Sequence, residues 1–571
     1  MTDDAHDPTQ HETHSPTQHE AQAPTHHETH DPTQHETHSP THNESNHPTH
    51  HETQPPQRVE VLVYGATSAG VAAAVAAAEA GAQTLLVEPG RHVGGMTSGG
   101  LGYTDVGDVR ALGGAAERFR RDVAAHYGVE PGRFAGPEPH VAEQIFTSWL
   151  EAAGVDVVFE ERATSVQFAA SQAGPVIRAV GFDSGRIVEA GVVVDASYEG
   201  DLLPLAGVPY AVGREDRTLY GERFAGRREV VPGMHNMPPW VSPFVGDPSG
   251  RIPGPVLPQV RDVPLAEVGS GDGGVMSYGY RVCLTTAADR IPFERPLDYD
   301  ESYWELGRRL FARDRAAGQE RSAGRMLGLE PNLPGGMADG NSLGPFSLSV
   351  LDGSAWEYPD ASPERREQLR QRHLSHTRGF LYFLSTDASV PAGIRKELAR
   401  WGLPAGEFAD TGHLPHQLYV REARRMLGDR VLTEHDLLAG TIFDDTVALG
   451  SYHIDIREVQ RTWRTVHEHP TPVGLVVTEG YLSVPVPVYG IPYRSLTPQR
   501  EHCVNLLVPV CLSASHVAFA SVRMEPQYEM LGHAAGIAAA LAVAEGCAVQ
   551  DVPHDRLRQR LVDAGQKLEV R

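Results

Sequence analysis

The sequence predicts an α/β fold: a parallel sheet opened by a βαβ unit, an inserted α+β region, and a disordered tail ahead of both. Three observations carry this. Residues 59–88, VEVLVYGATSAGVAAAVAAAEAGAQTLLVE, read as an apolar strand, a glycine turn, an alanine-rich helix, a second apolar strand and a closing acid. Residues 505–542 read as a further strand followed by a small-residue helix. Residues 8–55 are six octapeptide repeats of the form PTQHETHS, almost without apolar side chains.

The repeats place proline at positions 8, 16, 24, 32, 40 and 48, which blocks a continuous helix. Nothing in them can bury a core and offset the entropy of ordering, so residues 1–57 are expected to be disordered. They hold 13 of the 29 histidines. His-rich tracts can bind transition metals, so a metal-binding or interaction protein whose tail is the functional element stands as one alternative, and a solubilising repeat as the bland one.

The βαβ unit has the pattern that holds the diphosphate of a dinucleotide, a Rossmann-like arrangement. Gly65 permits the sharp turn after the strand ending at Tyr64, and Gly70 removes a side chain where the helix must approach the sheet. Backbone N–H groups across Ala66, Thr67, Ser68 and Ala69, with the helix dipole, attract the pyrophosphate. Thr67 stands where a second glycine is usual, and its hydroxyl can donate to the phosphate. Glu88, 23 residues after Gly65, is placed to accept both ribose hydroxyls. No Lys follows the turn, which excludes a GxxxxGK[ST] phosphate loop. The alternative is a buried βαβ unit with no ligand.

Behind Glu88 the chain runs PGRHVGGMTSGGLGYTD. Pro89, Gly90 and Arg91 lead into Gly94, Gly95, Met96, Thr97, Ser98, Gly99 and Gly100. A nicotinamide dinucleotide has no need of so glycine-dense a loop here, whereas FAD must run extended past it toward the flavin ring. These residues resemble those of FAD-dependent oxidoreductases of the glutathione-reductase-like superfamily, within it the broad family related to the flavin subunit of heterodisulfide reductase. Three further blocks carry the resemblance: Val192–Glu215 with Asp195 and Ala196, His416–Gly428, and Asn505–Ala542. The GxTxxG form with Thr67 also recurs in that family, and the likeness spans about residues 58–571. It implies FAD as cofactor and a discontinuous flavin domain, residues 58–216 and 496–571, with a substrate or cap domain over 217–495. Members that give the family its name carry iron–sulfur clusters, which need closely spaced cysteines. Cys283, Cys503, Cys511 and Cys547 include no CxxC, so no cluster is expected.

Length and composition bound the rest. At 571 residues the chain exceeds one ordinary core. A net charge of −25 argues against nucleic acid or an anionic membrane as partner. With two lysines in all, Lys396 and Lys567, a Schiff-base mechanism is not expected. Four scattered cysteines make no disulfide framework. The N-terminus has no secretory signal pattern, and a cytoplasmic protein is the default reading.

Helices are predicted over 113–127 and 141–153, strands over 155–159, 176–182, 187–194 and 504–508, and a small-residue helix over 530–544. Eight prolines between Val231 and Val260 predict a wandering surface segment. The last helix is read as beginning near Gly532, His533, Ala534, Ala535 and Gly536, where small residues would admit the flavin to a helix N-terminus. His516 is a candidate proton acceptor as hydride leaves the substrate; a structural histidine is the alternative. Arg523 is a candidate holder of substrate or flavin charge, against a salt bridge to Glu525. Arg421 and Arg424, on one helix face, would clamp a carboxylate or phosphate, against a solvated face. His453 completes the catalytic candidates. The expected activity is FAD-dependent hydride transfer between a small polar substrate and flavin N5, with the electron acceptor open and a flavin subunit working with a redox partner as runner-up.

Overall fold

The computed structural model describes residues 56–132, 136–329, 331–467 and 471–570. The predicted disordered repeats, residues 8–55, lie outside the described residues; of the tail expected to be disordered to 57, Pro56 and Gln57 are described, and Gln57 already opens a strand.

Strand β1 (Gln57–Tyr64), helix α1 (Ser68–Glu79) and strand β2 (Thr84–Glu88) form the predicted βαβ unit, with Val61 paired to Thr84 and Tyr64 to Val87 in parallel. Helices α2 (Gly114–Tyr127) and α3 (Pro139–Ala153) follow, then β3 (Asp156–Phe159) parallel to β2. Strand β4 (Ala163–Ala170), absent from the sequence-based reading, pairs antiparallel with β5 (Pro175–Phe182). Its apolar residues do not alternate and most of its length is exposed, which hides it from a hydrophobicity pattern. Strand β6 (Ile187–Asp195) lies parallel to β1, bringing Asp195 opposite Tyr64.

The sheet order is β3-β2-β1-β6-β5-β4, and β6 is its fork. Its first residues pair with β5, while Val193 and Val194 pair with Leu506 and Leu507 of β7 (Leu506–Leu507), which returns from more than three hundred residues away. Strand β7 is shorter than the 504–508 expected.

Ten of the twelve α1 residues are buried, so the helix has no polar face. It lies between the sheet and α6 (Glu525–Glu545), the long C-terminal helix. A Cβ on Gly532 would fall 2.0 Å from the Ala69 carbonyl oxygen, and one on Gly536 would fall 2.2 Å from that of Ala73. The glycines therefore exist to let two backbones touch. This corrects the expectation for the Gly532–Gly536 stripe: α6 begins seven residues earlier, at Glu525, and the stripe faces α1.

Between β6 and β7 the chain builds short antiparallel pairs. Gln460–Val466 pairs with Val473–Glu479, Ile454–Ile456 with Leu482–Val484, and Thr446–Gly450 with Tyr489–Pro492. A 24-residue helix, α4 (Pro363–Thr386), crosses the same region. The proline-rich stretch 231–260 has neither helix nor strand, as expected, but it is not merely surface: Val241, Phe244, Leu257 and Val260 are buried. Buried ion pairs cross-link this region. Arg214 joins Asp272 and Glu479, and Arg425 joins Glu215 and Glu422, all but Asp272 almost fully buried. Removing one member would leave a buried charge unpaired, which is strongly destabilising. Among the described residues no helix is long and apolar enough to cross a membrane.

Candidate cofactor and active site

The β1–α1 turn is shaped by its glycines. Gly65 has φ +92°, and a Cβ there would meet the Ser197 nitrogen at 2.8 Å; a Cβ on Gly70 would lie 1.8 Å from the Gly65 oxygen. Thr67, the N-cap, accepts from Gly70 N–H at 3.1 Å and donates to the Ala196 carbonyl at 2.8 Å. Its hydroxyl thus works within the turn, capping α1 and tying it to the end of β6. Glu88 accepts from Ala66 N–H and Gly90 N–H, both at 2.6 Å. Burial pushes its pKa up to about 7 although those N–H groups oppose the shift.

A cleft of about 170 Å³ opens beside this turn, lined by Gly65, Thr67, Glu88, Pro89, Gly90, Arg91, Gly95, Tyr198, Arg370 and His416. His416 is stacked on His92 with ring centroids 3.9 Å apart, and burial pushes its pKa down to about 4, so it is neutral at pH 7. The Asp195 carboxylate is engaged by Ser197 N–H, the Ser197 hydroxyl and Leu202 N–H, which makes it the organiser of the β6 turn. Ala196 N–H bonds to the Tyr64 carbonyl at 2.8 Å.

The glycine loop folds back over the turn. Gly94 N–H donates to the Ala66 carbonyl at 2.7 Å, and Gly94, Gly95 and Gly100 all have positive φ. A Cβ on Gly95 would lie 2.4 Å from the Tyr198 hydroxyl and one on Gly99 2.4 Å from Gln417 Cβ. Ser98 closes the loop on the Val93 carbonyl at 2.5 Å, and Met96 is fully buried. Glu525, the first residue of α6, pins these pieces together. It accepts from Ser68 Oγ at 2.5 Å, Thr97 Oγ1 at 3.2 Å and Tyr198 OH at 2.7 Å, while Tyr198 accepts from Met96 N–H at 2.8 Å. Burial pushes the Glu525 pKa to about 7. Two residues along α6, Gln527 is fully buried with neither amide atom hydrogen-bonded. The helix N-terminus near the site is therefore Glu525–Gln527. His533 lies against Gly114, and with Gly532, Ala534, Ala535 and Gly536 it belongs to helix packing.

The catalytic candidates fall into place unevenly. His516 opens helix α5 (His516–Val522) and is fully buried; Ser515 caps the helix. Its Nδ1 lies 2.8 Å from Glu422 Oε1, and among the described residues Nε2 has no hydrogen-bond partner. Burial lowers the His516 pKa, with Glu422 opposing. Burial works to raise Glu422, but the charges of His516 and Arg425 outweigh it and hold the carboxyl below its ordinary range. Arg523 ends α5 and donates to Tyr419 OH at 2.9 Å and to Asp455 Oδ2 at 3.2 Å; the alternative partner Glu525 is engaged elsewhere.

Residues 419–424 are not helical, which corrects the shared-face reading of Arg421 and Arg424. They run extended beside 275–279, with Tyr419 bridged to Gly279. Arg421 donates to the Ser277 carbonyl and lies 4.4 Å over the Tyr419 ring. Arg424 points elsewhere, to Asp360 at 3.1 Å and Asp201 at 3.3 Å. His453 is partly exposed, 3.9 Å from Asp455. Arg421 and Arg523 thus meet at Tyr419, while His516 is held separately by Glu422, which also pairs with Arg425. The sequence-based reading missed Glu525, Tyr198 and Glu422 as candidate site residues. Only Glu525 left a signal, an acid followed by proline at a helix start.

These residues suit the FAD that the sequence resemblance implies: a turn and loop that tolerate no side chain at Gly65, Gly70, Gly94 or Gly95, an acid at the end of β2, and buried polar atoms without partners at His516 Nε2 and Gln527. Among solved structures, Thermovibrio ammonificans THI4 overlaps with 18% identity over 28% of this chain and 66% of its own, at a TM-score of 0.22. L-proline dehydrogenase from P. horikoshii overlaps with 15% identity over 28% of this chain and 59% of its own, also at 0.22. The chain thus spans less than two thirds of either structure. No curated protein sequence matches significantly. The family model described as FAD dependent oxidoreductase matches residues 60–561, and the chain belongs to that family.

Proposed function

We propose that the protein oxidises or reduces a small polar substrate at the junction between the Glu525-pinned loop and the His516–Glu422–Arg421–Arg523 group, with Gly65–Gly70, Glu88 and the loop Gly94–Gly100 holding the FAD. When bound, the flavin supplies the two-electron chemistry, exchanging a hydride at N5. The observation that carries the reading is His516: wholly buried, fixed at Nδ1 by Glu422, and open at Nε2. An ionised Glu422 can only accept, so Nδ1 holds the ring proton and Nε2 presents a lone pair. That is the form of a general base, and Glu422 stabilises the imidazolium once Nε2 has taken the substrate's proton. Arg523, held by Tyr419 and Asp455, follows at the end of the helix that His516 opens and brings a fixed positive charge to the proposed site.

Purified protein should be yellow with about one FAD per chain, an order-of-one stoichiometry that a single βαβ unit dictates. His516→Ala should keep that FAD while flavin reduction by an accepted small alcohol, amine or hydroxy acid slows ~10²–10⁴-fold, the usual worth of a general base. Protein that binds NAD and no flavin, or a His516→Ala variant that keeps FAD and wild-type reduction rates, would refute the assignment.

A further inference from the structure

Arg421, Arg457 and Arg523 converge without enough acceptors. Arg421 is 3% exposed, makes one hydrogen bond, to the Ser277 carbonyl, and otherwise faces the Tyr419 ring. Among the described residues no carboxylate touches it. Arg457 donates to the Ser342 carbonyl at 2.9 Å, and its Nη2 and Nε each lie 3.4 Å from a Glu458 carboxylate oxygen, a long pairing in which Nε makes no hydrogen bond; among the described residues the Nε of Arg523 makes none either. Glu458 is shared with His235, 2.7 Å away, and Asp455 is held by Arg523. The buried hydroxyls of Ser277 and Ser342, beside the same guanidinium groups, also lack partners.

The setting separates this group from other buried arginines. Arg214, Arg281 and Arg425 each meet a carboxylate, and Arg228 meets the carbonyls of Phe224, Gly226 and Gly480. Arg461 has only the Pro345 carbonyl, but it is not packed among other arginines' charges as Arg421 is among those of Arg457 and Arg523. Like charges buried together repel strongly, and an oxyanion relieves both the repulsion and the unmet N–H groups. The cofactor's diphosphate does not answer this need, because the cleft at Glu88 has its own Arg91, Arg162 and Arg370.

We propose that the substrate carries a carboxylate, taken in a fork by Arg421, with Arg457 and Arg523 adding charge and Ser277 donating its hydroxyl; this rests on the flavin-dependent reading of the same site. A guanidinium edge and a carboxylate are both planar and match N–H for oxygen.

The test titrates the FAD-loaded protein with sodium malonate, with sulfate and phosphate, and with sodium chloride at matched ionic strength. Both the flavin difference spectrum and the unfolding temperature are read. A saturable malonate response is expected in wild type, with apparent Kd raised about 10- to 100-fold in Arg421→Met, the range expected for a lost charge-assisted hydrogen-bond pair. Arg421→Lys should recover part of it, and FAD content should not change. Arg457→Gln gives a second reading if Arg421→Met loses its flavin. No malonate response beyond chloride, an undiminished response in both variants, or tighter binding of phosphate than of malonate would overturn the proposal. A colourless wild type whose unfolding temperature still responds to malonate would instead sink the flavin reading and leave the anion site standing.

Discussion

Replacing Glu525 with Gln isolates a single titration at the centre of the site. The carboxyl is 3% exposed and receives the hydroxyls of Ser68, Thr97 and Tyr198. Burial lifts its pKa from an ordinary 4.5 to about 7. A carboxyl raised in the folded state favours folding while it is protonated. Its contribution is complete below about pH 4.5 and is lost as pH rises through about 7. At about 1.4 kcal/mol per pH unit, that interval corresponds to roughly 3 kcal/mol. Glu88, Asp195 and Glu222 are also lifted to about 7 and act with the same sign, so wild-type stability alone would not assign the effect. The difference between Glu525→Gln and wild type removes the shared part, apart from coupling to nearby Glu529. Between pH 5 and pH 8 that difference should move by roughly 3 kcal/mol in favour of the glutamine variant. The assay is urea unfolding of the FAD-loaded protein at fixed ionic strength, followed by flavin fluorescence and circular dichroism. A difference that stays flat, or that moves toward wild type as pH rises, would mean that Glu525 is ionised throughout and that its three hydroxyl donors outweigh burial.

Three further outcomes are expected. Gly65→Val forces a β-branched residue to φ +92° with its Cβ 2.8 Å from the Ser197 nitrogen, so the purified variant should be colourless by absorbance at flavin wavelengths. Gly536→Leu drives a side chain into the Ala73 carbonyl; overpacking of this kind costs about 1–3 kcal/mol or more, and a lowered denaturation midpoint with loss of FAD should follow. Deleting residues 1–53 should leave flavin content and unfolding temperature unchanged, because β1 begins only at Gln57; a large drop in either would show that the repeats contribute to the folded body.

What the sequence made legible was local. The β1–α1–β2 unit has the order strand, glycine turn, helix, strand that its hydrophobic runs predict, with Gly65 and Gly70 where turn and packing demand them; β1 ends at Tyr64 and β2 at Glu88 as expected. Strand β4 was illegible because its apolar residues do not alternate. The shared-face reading of Arg421 and Arg424 failed because segment 419–424 is held by its neighbours at 276–279, and tertiary pairing overrides helix propensity. The small-residue stripe Gly532–Gly536 was read with the right chemistry, close approach of a helix, but toward a ligand instead of toward α1. Composition alone cannot tell one close neighbour from the other.

The same reasoning explains why Glu525 escaped notice although it organises the site. Its partners Ser68, Thr97 and Tyr198 lie 457, 428 and 327 residues away. Each comes from a different segment: the start of α1, the glycine loop and the turn after β6. No periodicity or spacing rule connects such positions; only the docking of α6 on α1 does, and that docking depends on Gly532 and Gly536. The glycine stripe therefore serves the site indirectly. By letting α6 settle against the α1 backbone, it carries Glu525 to the α1 N-terminus, where one carboxyl gathers the turn and the loop into a single rigid cradle. A side chain on the stripe would displace that carboxyl before it disturbed the sheet, so the site is the part of the fold most sensitive to how the two helices meet.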